Sequence, residues 1–252
     1  TRCSRDWSSD VCSSDLYLPG SYLPNDSRRR IAERVPSRSE AGLPENTFVF
    51  CSFNASHKFA PDMFGVWMRL LRQVRNGVLW LPQANEAAMR NLKREAEARG
   101  VAAERLIFAP FLQNPDDHLA RLKLADLFLD TLPYNAHSSA CDALWAGLPL
   151  LTCEGHNFAG RVAAGLLRTL GVPELIAPSL PEYETIALRL ARDPDTLSAL
   201  REKIARNRAT SPLFDTEKFT RDLEAAYVAM WNRQHKGLPP ASFTLGEERS
   251  LA

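Results

Sequence analysis

The 252-residue sequence has no apolar run long enough to cross a membrane and no legible signal peptide. It also has almost no net charge, because 31 Lys and Arg stand against 30 Asp and Glu. Nothing in that balance calls for nucleic acid or an anionic membrane as a partner. Cysteine is sparse: Cys3, Cys12, Cys51, Cys141 and Cys153 are odd in number and show no Cys-x-x-Cys spacing. Free thiols in a reducing, cytoplasmic compartment are therefore expected, and no metal site. Gly-rich dinucleotide and P-loop fingerprints are missing too, as is any solenoid period. What is present is an ordinary globular composition, 45% hydrophobic, in a chain long enough to bury a sizeable core.

The two ends read differently from the middle. Residues 1–16, TRCSRDWSSDVCSSDL, contain the near-repeat SSDVCSSDL and no helical or strand period. They resemble translated sequencing-adapter read-through and are set aside from fold reasoning, which implies a biological chain that begins further upstream. Residues 17–46 are rich in Pro and Arg and read as the end of a preceding lobe followed by a linker, with the three arginines at 28–30 as a solvated charge run. The tail 236–252 reads as flexible.

Between them lies a regular alternation. Short apolar runs at 47–53, 77–82, 105–110, 126–131, 148–153 and 174–178 read as buried strands. Helical patterns follow from Pro61, with Phe64, Trp67, Leu70 and Leu71 on one face, and at 85–99, 115–124, 138–146, 158–170, 181–192, 195–209 and 215–234. Trp67, Leu144, Trp145 and Phe158 are expected in the core, and the last helix, with Phe219, Leu223, Tyr227 and Trp231, is expected to pack on a lobe. Strand–helix alternation with strands apolar throughout predicts an α/β fold, a Rossmann-like doubly wound parallel sheet over 47–235.

In such a sheet ligands bind beyond the carboxyl ends of the strands, where helix N-termini present unpaired N–H groups. His137, Ser138 and Ser139, in PYNAHSSACDALWAGLPLL, fall on the first turn of a helix at that edge. Two readings stay open on these residues alone: a plain cap with a neighbouring histidine, or a cradle for an anion.

Several motifs also resemble the C-terminal catalytic lobe of family 41 glycosyltransferases, which include protein O-GlcNAc transferases and SPINDLY-like enzymes. They are FCSFNASHKFAPD, HLARLKLADLFLDTLPYNAHSSACDALWAGLPLLT, RVAAGLLRTLGVPELI and SPLFDTEKFTRDLEAAYVAMW. The resemblance covers roughly 44–235, and it implies one lobe of a GT-B fold with a further lobe and TPR repeats upstream. It implies that Lys58 contacts the donor diphosphate and stabilises the departing nucleotide, and that His137, Ser138 and Ser139 bind the diphosphate. Asp142 would lie near the ribose, His118 would stack on the base beside Arg121, and the backbone at Leu112 would meet the base edge. Ala55 replaces the glutamine of animal members, and the stretch from Pro110 to His118 is one residue longer than in familiar ones. His57, His156 and Arg161 are weaker candidates.

The activity so implied is inverting, metal-independent transfer of N-acetylglucosamine from UDP-GlcNAc to Ser or Thr of an acceptor protein, with no cofactor. The general base and acceptor groove are expected on the other lobe, so this chain alone is expected to be inactive. GDP-fucose as donor, asparagine glucosylation, or a nucleotide-sugar-binding scaffold without turnover are the alternatives.

Overall fold

The computed structural model describes residues 15–245; the expectations for 1–14 and 246–252 lie outside them. In chain order come β1 (Leu16–Tyr17), β2 (Phe48–Cys51), α1 (Pro61–Gln73), β3 (Gly77–Pro82), α2 (Glu86–Glu97), β4 (Leu106–Ala109) and α3 (Pro115–Arg121). They are followed by β5 (Leu127–Leu129), α4 (Ser138–Trp145), β6 (Leu150–Cys153), α5 (Val162–Leu170), β7 (Ile176–Ala177), α6 (Leu180–Arg192), α7 (Pro194–Arg208), α8 (Thr216–His235) and β8 (Phe243–Thr244).

The helix starts follow from local chemistry. Asn85, Asn114, Ser179, Asp193 and Asp215 each accept a backbone N–H of the helix they precede, satisfying donors that the helix cannot satisfy itself. Proline occupies the first position of α1, where a missing N–H costs nothing. No side chain caps the first turn of α4.

Six strands form one parallel sheet in the order β4-β3-β2-β5-β6-β7. The chain winds outward from β2 to β4, then returns to the other side of β2 with β5. That reversal is the topological switch point of a doubly wound sheet, and it opens a crevice beyond the carboxyl ends of β2 and β5. Val49, Phe50, Leu79, Phe128 and Leu150 are fully buried between helix layers that contribute Trp67, Leu144, Leu167 and Tyr183. Strands covered on both faces explain why these runs are apolar without alternation.

Five expectations change. The segment 18–46 is fastened to the lobe: Leu43 and Asn25 are buried, and Arg38 bonds Asp126 at 3.0 Å. Arg29, placed in a solvated run, pairs with Asp142 at 2.6 Å. Leu16 and the first part of the tail are also engaged, since Leu16–Tyr17 pairs in parallel with Phe243–Thr244. Phe158, expected in the core, is half exposed and meets Tyr22 edge-on at 5.0 Å. On α8, Phe219 and Leu223 are half-buried while Tyr227 and Trp231 are exposed, so only its first half packs on this lobe. Among the described residues no helix is long and apolar enough to cross a membrane.

Candidate functional site

The crevice is organised by a residue the sequence did not single out. Asp130 follows β5 directly and is fully buried. Its Oδ1 accepts the backbone N–H of Thr131 (2.7 Å) and Ala136 (2.6 Å) and the Asn54 amide (3.2 Å), and its Oδ2 accepts the Thr152 hydroxyl (2.7 Å). Burial pushes this carboxyl up to about 6, against the pull of those four donors. One side chain thus ties the ends of β2 and β5, the body of β6 and the approach to α4. An Asp closing the apolar run LFLD was the available signal, since a carboxylate at a buried strand end must find donors.

Lys58 closes a single 3-10 turn, Ser56–Lys58, after β2. Its Nζ donates to Asn135 O at 2.9 Å and stands 3.7 Å from the Tyr134 ring centre. Burial holds its ammonium below the usual lysine value, with the Asp130 charge opposing. A half-buried, partly desolvated cation at a crevice exerts more force on an anion than one in open water.

His137 sits at the N-cap position of α4 without capping it. Its Nδ1 lies 3.0 Å from the Tyr22 hydroxyl and its Nε2 3.4 Å from Ala159 O. Burial keeps its pKa below the usual histidine value, the Ala159 contact opposes this, and the Lys58 charge adds to the lowering. Ala159 reaches the site because Gly155 and Gly160 let two loops approach. A Cβ on Gly160 would stand 2.9 Å from Pro133 O.

The two serines part company. Ser139 donates to Asn54 Oδ1 at 2.8 Å and so joins the Asp130 network. Ser138 is exposed beside Asp142, on a hollow of about 300 Å³ that Arg29 and the segment Leu23–Asp26 also line. Asp142 Oδ2 lies 3.9 Å from His118 Nε2.

At the far end, His118 Nδ1 receives Arg121 Nε (3.1 Å) and Nη2 (2.8 Å), and its ring meets Phe53 edge-on at 5.5 Å. Burial and the Arg121 charge lower its pKa, Asp142 opposes them, and Arg29 adds a smaller lowering. Arg121 was expected beside a base. It is buried, its guanidinium 4.9 Å from the Phe53 ring centre, and its Nη1 donates to Pro110 O at 2.5 Å. Burial brings its pKa down to about 10. Its donors serve His118 and the loop after β4. Leu112 is half-buried on that loop, next to Phe111 at 84% exposure.

Lys58, His137, Ser138 and Ser139 are therefore brought to one crevice, and Asp142 and His118 to its continuation. His57, Ala55, His156 and Arg161 are exposed, with Arg161 bonded to His156 O. Among the described residues no group of three or more His, Cys, Asp or Glu is placed to hold a metal ion. A lysine ammonium near a helix start that no side chain caps has the chemistry to hold an anion.

Comparisons with known proteins place the chain in a family. Residues 26–223 match the family described as Glycosyl transferase family 41. The chain is 36% identical over 205 residues to the Caenorhabditis elegans UDP-N-acetylglucosamine–peptide N-acetylglucosaminyltransferase, covering 81% of this chain and 18% of that protein. It is 35% identical over 238 residues to an Arabidopsis thaliana protein named "Probable UDP-N-acetylglucosamine--peptide N-acetylglucosaminyltransferase SEC", covering 92% of this chain and 24% of that one. The chain thus spans a quarter or less of the length of these relatives. Among solved structures, a mutant of the Thermobaculum terrenum O-GlcNAc transferase superposes with a TM-score of 0.74 at 33% identity, over 85% of this chain and 40% of that one. Sucrose-phosphate synthase of Thermosynechococcus elongatus, at 14% identity and a TM-score of 0.59, shares the fold alone. The fold is that of a Rossmann-like GT-B lobe, and the chain belongs to glycosyl transferase family 41.

Proposed function

We propose that this chain is the donor-binding lobe of a protein O-linked N-acetylglucosaminyltransferase that takes UDP-GlcNAc and works without a metal. The observation that carries the reading is the convergence of the Lys58 ammonium and the uncapped start of α4 on the switch-point crevice. In an inverting transfer the acceptor hydroxyl attacks the anomeric carbon from the face opposite the diphosphate. The bond from that carbon to the diphosphate oxygen breaks as the new one forms, and negative charge accumulates on the leaving phosphate. Lys58 and the N–H groups of α4 are suited to receive that charge, already fixed and partly desolvated. Asp142 would take a ribose hydroxyl, the backbone at Leu112 the base edge, and the ring of His118 a base face. The acceptor protein and the group that removes its hydroxyl proton belong, in this reading, to a further lobe.

The relatives named for the UDP-GlcNAc reaction support that donor over a guanosine one. Titrating the purified chain with UDP and with GDP tests it: UDP is expected to bind, more tightly than GDP, and weakening by Lys58→Ala is expected. Preference for GDP would move the reading to a fucosyl donor, and binding of neither would end it.

A further inference from the structure

The segment before the sheet, read from its composition as a linker, runs across the start of α4 and is held along its length. Thr169 Oγ1 donates to Gly20 O at 3.1 Å, and Asn25 Nδ2 to Leu213 O at 3.0 Å. Ser27 N donates to Thr216 Oγ1 at 2.9 Å, that hydroxyl donates to Asn25 O at 2.7 Å, and Ala32 N to Asp116 O at 3.1 Å. Between these ties the segment extends two side chains, and each meets a residue of the candidate donor site. Tyr22 reaches His137 at 3.0 Å, and Arg29 reaches Asp142 at 2.6 Å.

The Tyr22 contact has a chemical consequence. The Ala159 carbonyl can only accept, so the His137 Nε2 that faces it at 3.4 Å carries the proton. A neutral imidazole then has a bare Nδ1, and the Tyr22 hydroxyl donates to it. Burial raises the Tyr22 pKa, which keeps that hydroxyl protonated. Both nitrogens are thereby assigned, and the ring is fixed from two sides, with the Tyr22 ring itself braced edge-on against Phe158. Arg29 plays the corresponding part for Asp142. It holds one carboxylate oxygen across the 300 Å³ hollow that separates the segment from α4.

We propose that residues 20–32 form a strap that is part of the donor site, with Tyr22 and Arg29 as positioning residues for His137 and Asp142. This rests on the donor-lobe reading above.

The test uses the full chain and UDP as the probe. Nitrogen NMR of the His137 ring, identified by its loss in His137→Gln, reports the tautomer without any ligand. Calorimetry gives UDP affinity, and a thermal melt checks that Tyr22→Phe and Arg29→Gln remain folded. The wild type is expected to show the Nε2–H form and Tyr22→Phe a mixture of both tautomers. Each variant is expected to bind UDP about tenfold more weakly, the scale of one hydrogen bond or ion contact to a charged site. Arg29→Gln should add little once Asp142→Asn is present, because the two act through one contact. An unchanged tautomer in Tyr22→Phe, or additive effects of Arg29→Gln and Asp142→Asn, overturns the corresponding arm. A wild type that binds UDP with both variants equal to it overturns the strap alone and leaves the donor lobe standing. A wild type that does not bind UDP overturns both.

Discussion

Around Asp130, donors from the end of β2, the end of β5, the body of β6 and the approach to α4 meet one buried carboxylate. Around Leu112 the chain is a loop, with Phe111 in solvent and the Arg121 guanidinium bonded to Pro110 O. The first region is the proposed diphosphate end of the site and the second its base end. A leaving diphosphate has the same charge whichever nucleotide carries it, so its cradle can be rigid and rooted in the sheet. The base is what differs between donors, and a surface loop is where such a difference can be accommodated without disturbing the fold.

If the diphosphate end supplies charge stabilisation, Lys58→Ala should have the largest effect. In the full-length enzyme turnover is expected to fall roughly 10²-fold or more, the range seen when one stabilising donor is removed from a site of developing charge. Affinity for the product UDP should fall much less, because the charge is greatest as the bond breaks. Single-turnover rates set beside UDP titrations give both numbers. Near-normal turnover would remove Lys58 from the chemistry.

Asp130→Ala tests whether this end is preassembled. It strands buried donors, and each costs about 1–3 kcal/mol, so a loss of about 3 kcal/mol or more is expected in urea unfolding at pH 7. The pH dependence has a definite sign. Folding raises this carboxyl from 3.8 to about 6, so between those values the native state holds a proton that the unfolded chain has lost. Wild-type stability from this group therefore falls as pH rises from about 4 to about 6. The variant lacks that slope, so the gap between them should widen on acidification. A gap that stays constant between about pH 4 and about pH 6 would mean Asp130 ionises as freely in the fold as outside it, and a narrowing gap that the fold lowers its pKa.

The serines divide the same region more finely. Ser139→Ala removes a half-buried donor from Asn54 and should cost about 1 kcal/mol of stability as well as UDP affinity. Ser138→Ala, at an exposed position, should leave stability within about 0.5 kcal/mol and weaken UDP alone. Equal behaviour of the two would erase the distinction between the network and the surface that faces the ligand.

The two regions were also unequally legible in the sequence. Apolar runs, helical periods and Pro61 placed every strand of the main sheet and all eight helices near their observed bounds, because those signals are local. The placement of His137, Ser138 and Ser139 at a helix start beside the crevice was legible, since a helix start after a parallel strand is a physical pattern even without a relative to compare. Asp130, Asn54 and Thr152 were missed because their meaning lies in long-range hydrogen bonds that no spacing encodes. At the base end only the resemblance pointed to His118 and Arg121, and it could not tell that Arg121 is buried with its donors spent on His118 and Pro110 O. Arg29 was read as part of a solvated run because Arg content describes a chain's charge, not the carboxylate at Asp142 that Arg29 meets.

The smallest effect is expected at His118, and it decides whether the base end works by contact area or by hydrogen bonding. Arg121 occupies Nδ1, and Nε2 stands 3.9 Å from the Asp142 carboxylate, so neither ring nitrogen is well placed to read a base edge. What remains is a ring face. Stacking on an aromatic side chain is worth about 1–3 kcal/mol per base, and the small imidazole should lie at the low end. His118→Ala is therefore expected to weaken UDP by about fivefold, and GDP by a similar factor, because every base has a face to offer. His118→Phe should keep most of the affinity, since it restores a face without the nitrogens. Loss in the phenylalanine variant as deep as in the alanine one would show that the polar edge does the reading. The base end would then be a hydrogen-bonded site of the same kind as the diphosphate end, and the contrast between them would fail.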